Sequence, residues 1–450
     1  MKKTQFLLQF LATFSALLSI LSSGIHEAWT SVYIPKLLNG TDSIRVSSSE
    51  GSYITVSLGI GGLIGCVVAY FISDNFGRKK TILVTCIPFF VSSILLAYAK
   101  SVPIFCLSRL ISGIASGMAF AVIPHYLGEI ADPEIRGTLG TMVPIFNLIG
   151  FLFINTVGYY VSITTSSLIT SVIPFILLLS FVWMPESPYY LIMIGQSDAA
   201  EKSLRQLKGK KDVSQELNDL NDTVLTQMKR KGKLSELFTK KSNQRALFMV
   251  FILLNGKQWT GIGPIDAYAQ LIFQQMFETL SPLLITLVYY LTRFGMVIVS
   301  SFLVDKVGRR PVLIISFIGS AITLFLLALF LYIKSNTSID TTNYGFLPII
   351  FLEGFAIFYS FLTSVPLSIL GELFPMNVKS FASIFYEVYL YGITLIVIKC
   401  FQVLSDNFGM ESSFFIFAMS CLIHLVLVYK YVIETKGRSL EEIQKYLHSA

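Results

Sequence analysis

The feature that most limits this chain is a series of long apolar stretches with no ionised residue inside them. Phe151 to Trp183 is one, broken by little more than serine and threonine, and Phe317 to Ile333 is another. A run of about 18 or more apolar residues wound as a helix crosses a hydrocarbon core of roughly 30 Å. In lipid only such a helix satisfies its own backbone hydrogen bonds, because no water is there to do so. The pattern predicts spans at roughly 8–31, 52–73, 81–99, 103–126, 139–160, 165–184, 246–272, 282–303, 311–333, 346–370, 381–403 and 412–432. The expected fold class is therefore an all-α membrane protein with twelve transmembrane helices in two six-helix bundles.

Composition agrees where it bears on this. The 450 residues are 54% hydrophobic and 14% charged, whereas a soluble domain carries about a quarter charged residues. The stretch from Pro185 to Lys241 differs in kind, rich in Lys, Glu, Asp and Gln, and reads as short amphipathic helices on a membrane surface. The domains expected are a first bundle at 1–184, a cytoplasmic helical linker at 185–244, a second bundle at 245–433 and a cytoplasmic tail at 434–450.

Basic residues set the orientation, since lysine and arginine accumulate in cytoplasmic loops. Of 34 such residues, four (Lys36, Arg45, Lys100, Lys334) fall on one side, four (Arg109, Lys257, Arg293, Lys399) lie within spans, and the remaining 26 fall on the other side. Both termini and the linker are thus expected in the cytoplasm. Two sequons, at Asn39 and Asn336, fall on the opposite side, where glycosylation takes place. The pI of about 9.0 follows from these topology charges and implies no nucleic-acid surface.

Several chemistries find no support. The five cysteines (Cys66, Cys86, Cys106, Cys400, Cys421) all fall inside predicted spans, which suits packing and not a disulfide framework or a metal site. No nucleophile elbow, phosphate loop or metal cluster is present, so neither an enzyme nor a cofactor is expected. The glycine-rich segment from Gly59 to Gly65, like Gly113 and Gly117, lies in an apolar helix and predicts close helix contact.

An internal repeat carries the functional reading. Asp74, Gly77, Arg78 and Lys79 follow the second span, and Asp305, Gly308, Arg309 and Arg310 follow the eighth with the same spacing. Glu129 with Arg136 follows the fourth span, and Glu372 with Lys379 follows the tenth. Pro185-Glu186-Ser187-Pro188 closes the sixth span and Glu434-Thr435-Lys436-Gly437 the twelfth. These charges sit at helix ends along one rim, so they can bias a two-state equilibrium by pairing in one state and separating in the other. Asp74, Arg78, Glu129, Arg136, Glu186, Asp305, Arg309, Glu372, Lys379 and Glu434 are the gating candidates.

These motifs, with Arg109, the Arg136-Gly137 pair, the segment Ala199 to Arg205 and Gln258-Trp259-Thr260-Gly261-Ile262, identify a resemblance over nearly the whole chain. It resembles the sugar porter branch of the major facilitator superfamily and is similar to insect trehalose and hexose facilitators. The resemblance implies a solute site near the midplane between the bundles, worked by alternating access.

At that site the chain departs from the family pattern. Where sugar porters read Gln-Gln-Leu-Ser-Gly-Ile-Asn, this chain has Lys257-Gln258-Trp259-Thr260-Gly261-Ile262-Gly263. The family's asparagine in the eighth span is replaced by Arg293, its glutamine in the fifth by Pro144, and its Pro-Trp pair in the tenth by Pro366-Leu367. Sugars are held by amides that both donate and accept, and much of that inventory is gone. Gln258, Thr260, Tyr268, Tyr391, Lys257 and Arg293 are the substrate-binding candidates. A charge near the midplane costs roughly 2.5–3.5 kcal/mol or more unless paired. Asp266, Glu353, Glu387 and Glu27 are the candidate partners. Lys257 and Arg293 are either neutralised internally or face the solute and favour an anion. Thr30 stands where proton-driven relatives carry an aspartate, so facilitated diffusion is expected, although Glu27 and His26 lie one turn away.

The expected function is transport of a small solute, a hexose or trehalose, by facilitated diffusion across the plasma membrane. The alternatives are a same-fold carrier of an anionic or other non-sugar solute, and a transport-incompetent sensor. The partners expected are the solute and the lipid bilayer, with no nucleic acid; the chain is expected to act as a monomer.

Overall fold

A computed structural model describes residues 6–42, 44–210, 212–229, 234–276, 281–338, 344–438 and 440–449. The first half holds α1 (Leu7–Asn39), α2 (Ser48–Phe76), α3 (Arg78–Ala97), α4 (Val102–Ile130), α5 (Arg136–Tyr160) and α6 (Ile163–Phe181). Four short helices follow: α7 (Pro188–Met193), α8 (Ser197–Lys208), α9 (Ser214–Lys229) and α10 (Leu234–Thr239). The second half holds α11 (Lys241–Gln258), α12 (Ile262–Met276), α13 (Pro282–Val307), α14 (Arg309–Asn336), α15 (Leu347–Leu373), α16 (Met376–Phe408) and α17 (Met410–Tyr431). A last helix, α18 (Leu440–Ser449), lies in the segment expected as a tail.

Local chemistry sets these boundaries. Ser47 and Glu50 form a reciprocal cap at the start of α2, each side chain bonding the other residue's backbone N–H (3.3 and 2.8 Å). Proline at the first turn opens α4, α13 and α15, where its missing N–H costs nothing.

The expected seventh span, 246–272, is not one helix. It is α11 and α12 in series, broken at Trp259–Gly261. Gly261 holds φ +84, where an added Cβ would stand 2.2 Å from the Phe417 ring, so only glycine makes this turn. A second kink falls at Tyr268. Eleven helices among the described residues are long and apolar enough to cross a membrane; the twelfth crossing is this one, made of two shorter helices.

Packing inside the first half depends on the glycines. A Cβ at Gly61 or Gly65 would meet the carbonyl oxygens of Leu110 or Ile114 at 2.1 Å, so α2 and α4 touch backbone to backbone. Lipid supplies no hydrophobic drive between helices, and such close approach takes its place. Between the halves, α2 packs on α16, α5 on α13 and α1 on α12. The first two contacts exchange when the halves are exchanged, each pairing a second crossing with a fifth. The duplicated sequence has folded as a duplicated structure.

The linker divides its attachments. Lys208 on α8 pairs with Asp132 at the end of α4 (2.6 Å), and Gln9 on α1 bonds Asp132 (2.9 Å) and the Leu207 carbonyl (3.2 Å). Near α10, by contrast, the Phe238 ring meets Phe385 of α16 (5.9 Å). The α18 helix joins the second half too, with Arg245 donating to the Leu447 carbonyl and Gln444 to that of Leu373, both at 2.6 Å.

Candidate functional site

Both rim clusters have the same construction. Gly77 (φ +97) and Gly308 (φ +111) turn the chain between helices, and a glutamate lies under each turn. Glu186 accepts the backbone N–H of Lys79 (3.0 and 3.1 Å), and Glu434 accepts those of Arg309 and Arg310 (3.0 and 2.9 Å). Each carboxylate thereby caps a helix N-terminus, where backbone donors and the helix dipole favour an anion. Burial pushes the Glu186 carboxyl above its usual range, against its backbone hydrogen bonds. At Glu434 burial pushes the same way, but backbone donors from Lys436, Arg309, Arg310 and Thr435 outweigh it and hold the carboxyl below that range.

The guanidinium groups extend each cluster sideways. Arg78 pairs with Glu129 (3.1 Å) and Asp74 (3.5 Å), and Arg309 pairs with Glu372 (3.0 Å). The Asp305 side chain lies outside the described residues. Arg136 donates to the Ala131 carbonyl (3.4 Å) and Lys379 to that of Gly371 (3.0 Å), each closing the C-terminal end of the preceding helix. Every one of these bonds joins elements of the same half. Across the rim, Lys379 lies within electrostatic reach of Arg136, a like charge. The rim pairs therefore tie neighbouring helices within each bundle.

At the break of the seventh crossing lies a layer of charged side chains. Arg293 of α13 pairs with Asp266 of α12 at 2.5 Å, and the Tyr289, Tyr290 and Tyr359 rings surround its guanidinium at 5.4–5.8 Å. Of the candidate acids, Asp266 is thus the one that neutralises it. Arg109 of α4 is buried, donates to the His26 carbonyl and lies over the Trp29 ring at 5.4 Å. Glu27 of α1 accepts from Asn147 of α5 (3.1 Å). Lys257, half-buried in the last turn of α11, is within electrostatic reach of Glu387, Arg293, Glu27 and Asp266, while Glu387 is within reach of Lys257 and Glu27.

The remaining substrate-binding candidates separate. Gln258 is 6% exposed and its Oε1 has no hydrogen-bond partner among the described residues. Thr260 is fully buried and spends its hydroxyl on the Lys257 carbonyl (2.8 Å), terminating α11. Tyr268 is buried against Phe401 (5.9 Å). Tyr391 presses its ring into the gap left by Gly62, where a Cβ would be 2.3 Å away, and so packs between the halves.

Sequence reasoning missed a polar closure at the end that carries Asn39 and Asn336, both of them exposed. Gln270 of α12 donates its side-chain amide to Asn155 of α5 (3.1 Å) and its backbone N–H to the Ser31 hydroxyl of α1 (3.3 Å). Ser48 of α2 donates to Asp406 of α16 (2.8 Å), and Lys399 of α16 bonds Ser52 (3.3 Å) and lies over the Tyr53 ring (5.0 Å). All these contacts join the two halves. An asparagine and a glutamine inside apolar runs were the available signal.

Comparison with known proteins agrees with this architecture. Residues 9–447 match the family described as sugar (and other) transporters. The chain is 31% identical to the facilitated trehalose transporter Tret1 of Culex quinquefasciatus, over 97% of this chain and 85% of that protein. It is 32% identical to the Tret1 of Polypedilum vanderplanki, over 97% and 87%. Among solved structures, the inward-open xylose transporter XylE of E. coli superposes with a TM-score of 0.80 at 22% identity, covering 97% of this chain and 99% of that one. The proton:xylose symporter XylE bound to 6-bromo-6-deoxy-D-glucose gives 0.76, also at 22% identity, over 98% and 99%. The fold is the major facilitator fold, and the chain belongs to the sugar (and other) transporter family, a multi-pass membrane transporter and not an enzyme.

Proposed function

We propose that this transporter carries a neutral sugar, a hexose or trehalose, by facilitated diffusion across the plasma membrane, with both termini in the cytoplasm. The observation that carries the reading is the unequal closure of the two ends. One end is tied across the halves by Gln270, Asn155, Ser48, Asp406 and Lys399, while at the other end the ion pairs of Arg78 with Glu129 and of Arg309 with Glu372 each join helices of one half. A polar layer at the break of the seventh crossing lies between these ends. Two halves that meet at a polar centre and are joined by polar side chains across one end are the parts that alternating access requires.

The names of the relatives support a sugar as cargo, and the basic-loop count supports the orientation. The anionic alternative has less to rest on, because Asp266 already neutralises Arg293. Uptake of radiolabelled glucose and trehalose, beside a panel of organic anions, is measured in proteoliposomes with and without a pH gradient. Saturable sugar uptake at equal rates in both conditions is the expected outcome. Anion uptake without sugar uptake would overturn the reading, and sugar uptake that needs the gradient would replace facilitation with proton coupling.

A further inference from the structure

Away from the charged layer, one groove on the outer wall of the second half contains a polar atom that the chain leaves unsatisfied. It lies between α11 and α17, has a volume of about 420 Å³, and is walled by Trp259, Phe415, Met419 and Ile423, with Ser420 and His424 set among them. Met419 and Ile423 are both more than half exposed, so this side of α17 meets hydrocarbon. Asn255, also on the wall, turns its amide to the Phe251 carbonyl (2.9 Å) and the Tyr389 hydroxyl (2.8 Å).

His424 is 9% exposed and its ring is held in place. It stacks on Phe317 of α14 (6.2 Å) and lies against Gly256 of α11, where a Cβ would stand 3.2 Å from its Cδ2. Its Nδ1 is 2.8 Å from the Ser420 carbonyl and 3.2 Å from the Ser420 hydroxyl. A carbonyl oxygen only accepts, so Nδ1 carries the proton, and in the uncharged ring Nε2 then presents a lone pair. Nε2 has no hydrogen-bond partner among the described residues and is not enclosed by protein. His424 stands seven residues before Tyr431, the last of α17, and so about 10 Å inside the span. Hydrocarbon at that depth offers no donor to it.

We propose that this groove binds a sterol, a lipid with a rigid apolar body and a single hydroxyl, and that the hydroxyl donates to His424 Nε2. An acyl chain fills the same space but leaves Nε2 unpaired, which is costly for a polar atom out of water. A phospholipid headgroup cannot follow it down, because an ionised group at that depth costs far more than a hydroxyl. A rigid ring body also loses less conformational freedom than a flexible chain when it settles along Trp259 and Phe415. The second groove of this half gives the contrast. It lies between α14 and α15, measures about 300 Å³ and is walled by Ile318, Ile322 and Phe358, and the Thr323 hydroxyl in its wall is spent on the Gly319 carbonyl (2.8 Å). Apolar space without a waiting acceptor suits any lipid chain. Trp259 begins the break of the seventh crossing, so a sterol in the first groove touches the joint between α11 and α12 from the lipid side.

The test is photolabelling of the purified full chain, in phosphatidylcholine liposomes, with a diazirine-bearing cholesterol, the labelled peptides being read by mass spectrometry. Saturable labelling is expected within 255–259 and 415–424, the two segments that line the groove. Cholesterol should displace the probe, and its methyl ether, which cannot donate, should do so about fivefold less well, as the loss of one hydrogen bond predicts. His424→Phe should bring cholesterol down to the level of the ether. Met419→Trp, which puts a larger side chain into the groove, should remove the saturable labelling, and Ile322→Trp in the second groove should leave it unchanged. Thermal melting checks that each variant is folded, and the ether comparison needs no variant at all. Labelling that never saturates and spreads alike over the exposed faces of α14 and α17 would show ordinary surrounding lipid and overturn the proposal. Equal displacement by cholesterol and its methyl ether would overturn the part given to the hydroxyl and His424, and the sterol assignment with it.

Discussion

Glu186 and Glu434 hold equivalent places under Gly77 and Gly308, yet their surroundings push them in opposite directions. The lowered Glu434 gives stability that is present above its unfolded value of about 4.5 and is lost as pH falls through its folded value. The raised Glu186 acts the other way. Its folded state takes the proton first, so its contribution is present below the unfolded value and is lost as pH rises through the folded one. Melting of the detergent-purified protein between about pH 4 and pH 7 separates the two. The gap between wild type and Glu434→Gln should widen toward neutral pH, and the gap to Glu186→Gln should move oppositely. Parallel curves would show that the two caps are electrostatically alike. The glycines above them give a second residue-level test. Gly308→Ala places a Cβ 2.8 Å from Glu434 at φ +111, and should cost roughly 1–3 kcal/mol. Gly128→Ala, which meets nothing within 4 Å, is the control, and equal melting of the two variants would remove the argument.

Among the elements, α2 has most to do at once. One face carries the glycines that admit α4, another receives Tyr391 and Leu395 of α16, and its first turn holds the Ser48–Asp406 bond. If that bond closes its end of the molecule only in one state, Ser48→Cys and Asp406→Cys joined by a short bifunctional thiol reagent should lower sugar uptake to background. Cleaving the reagent should restore it. Continued uptake by the joined protein would show that the two helices never part. The rim motifs were legible in the sequence because Asp74, Gly77 and Arg78 recur at the spacing of Asp305, Gly308 and Arg309, and the distant Glu186 and Glu434 could be named only because each closes the last span of its half. The partner of Arg293 was not, since four acids qualified and the choice of Asp266 depends on how α12 is rotated after the break. The break itself escaped notice: Gly261 occurs inside an apolar run that reads equally well as one helix.

For the whole molecule, the repeat predicted two like halves, and the structure pairs second crossings with fifth ones in both directions. The rim charges are expected to pair across the halves in one state and to separate in the other, and in this state the rim pairs of Arg78 and Arg309 are with acids on adjoining helices of their own half. The linker shows the same division, with α8 held by the first half and α10 beside the second. The interruption between α11 and α12 has a mechanical consequence. Because the chain turns at Gly261, α12 can follow α1 and α5, to which Gln270 ties it, while α11 stays seated in its own bundle against Phe317 and Tyr431. A joint in one crossing lets the door that Gln270 latches swing without bending the wall, and Lys257 and Gln258 stand on the doorpost.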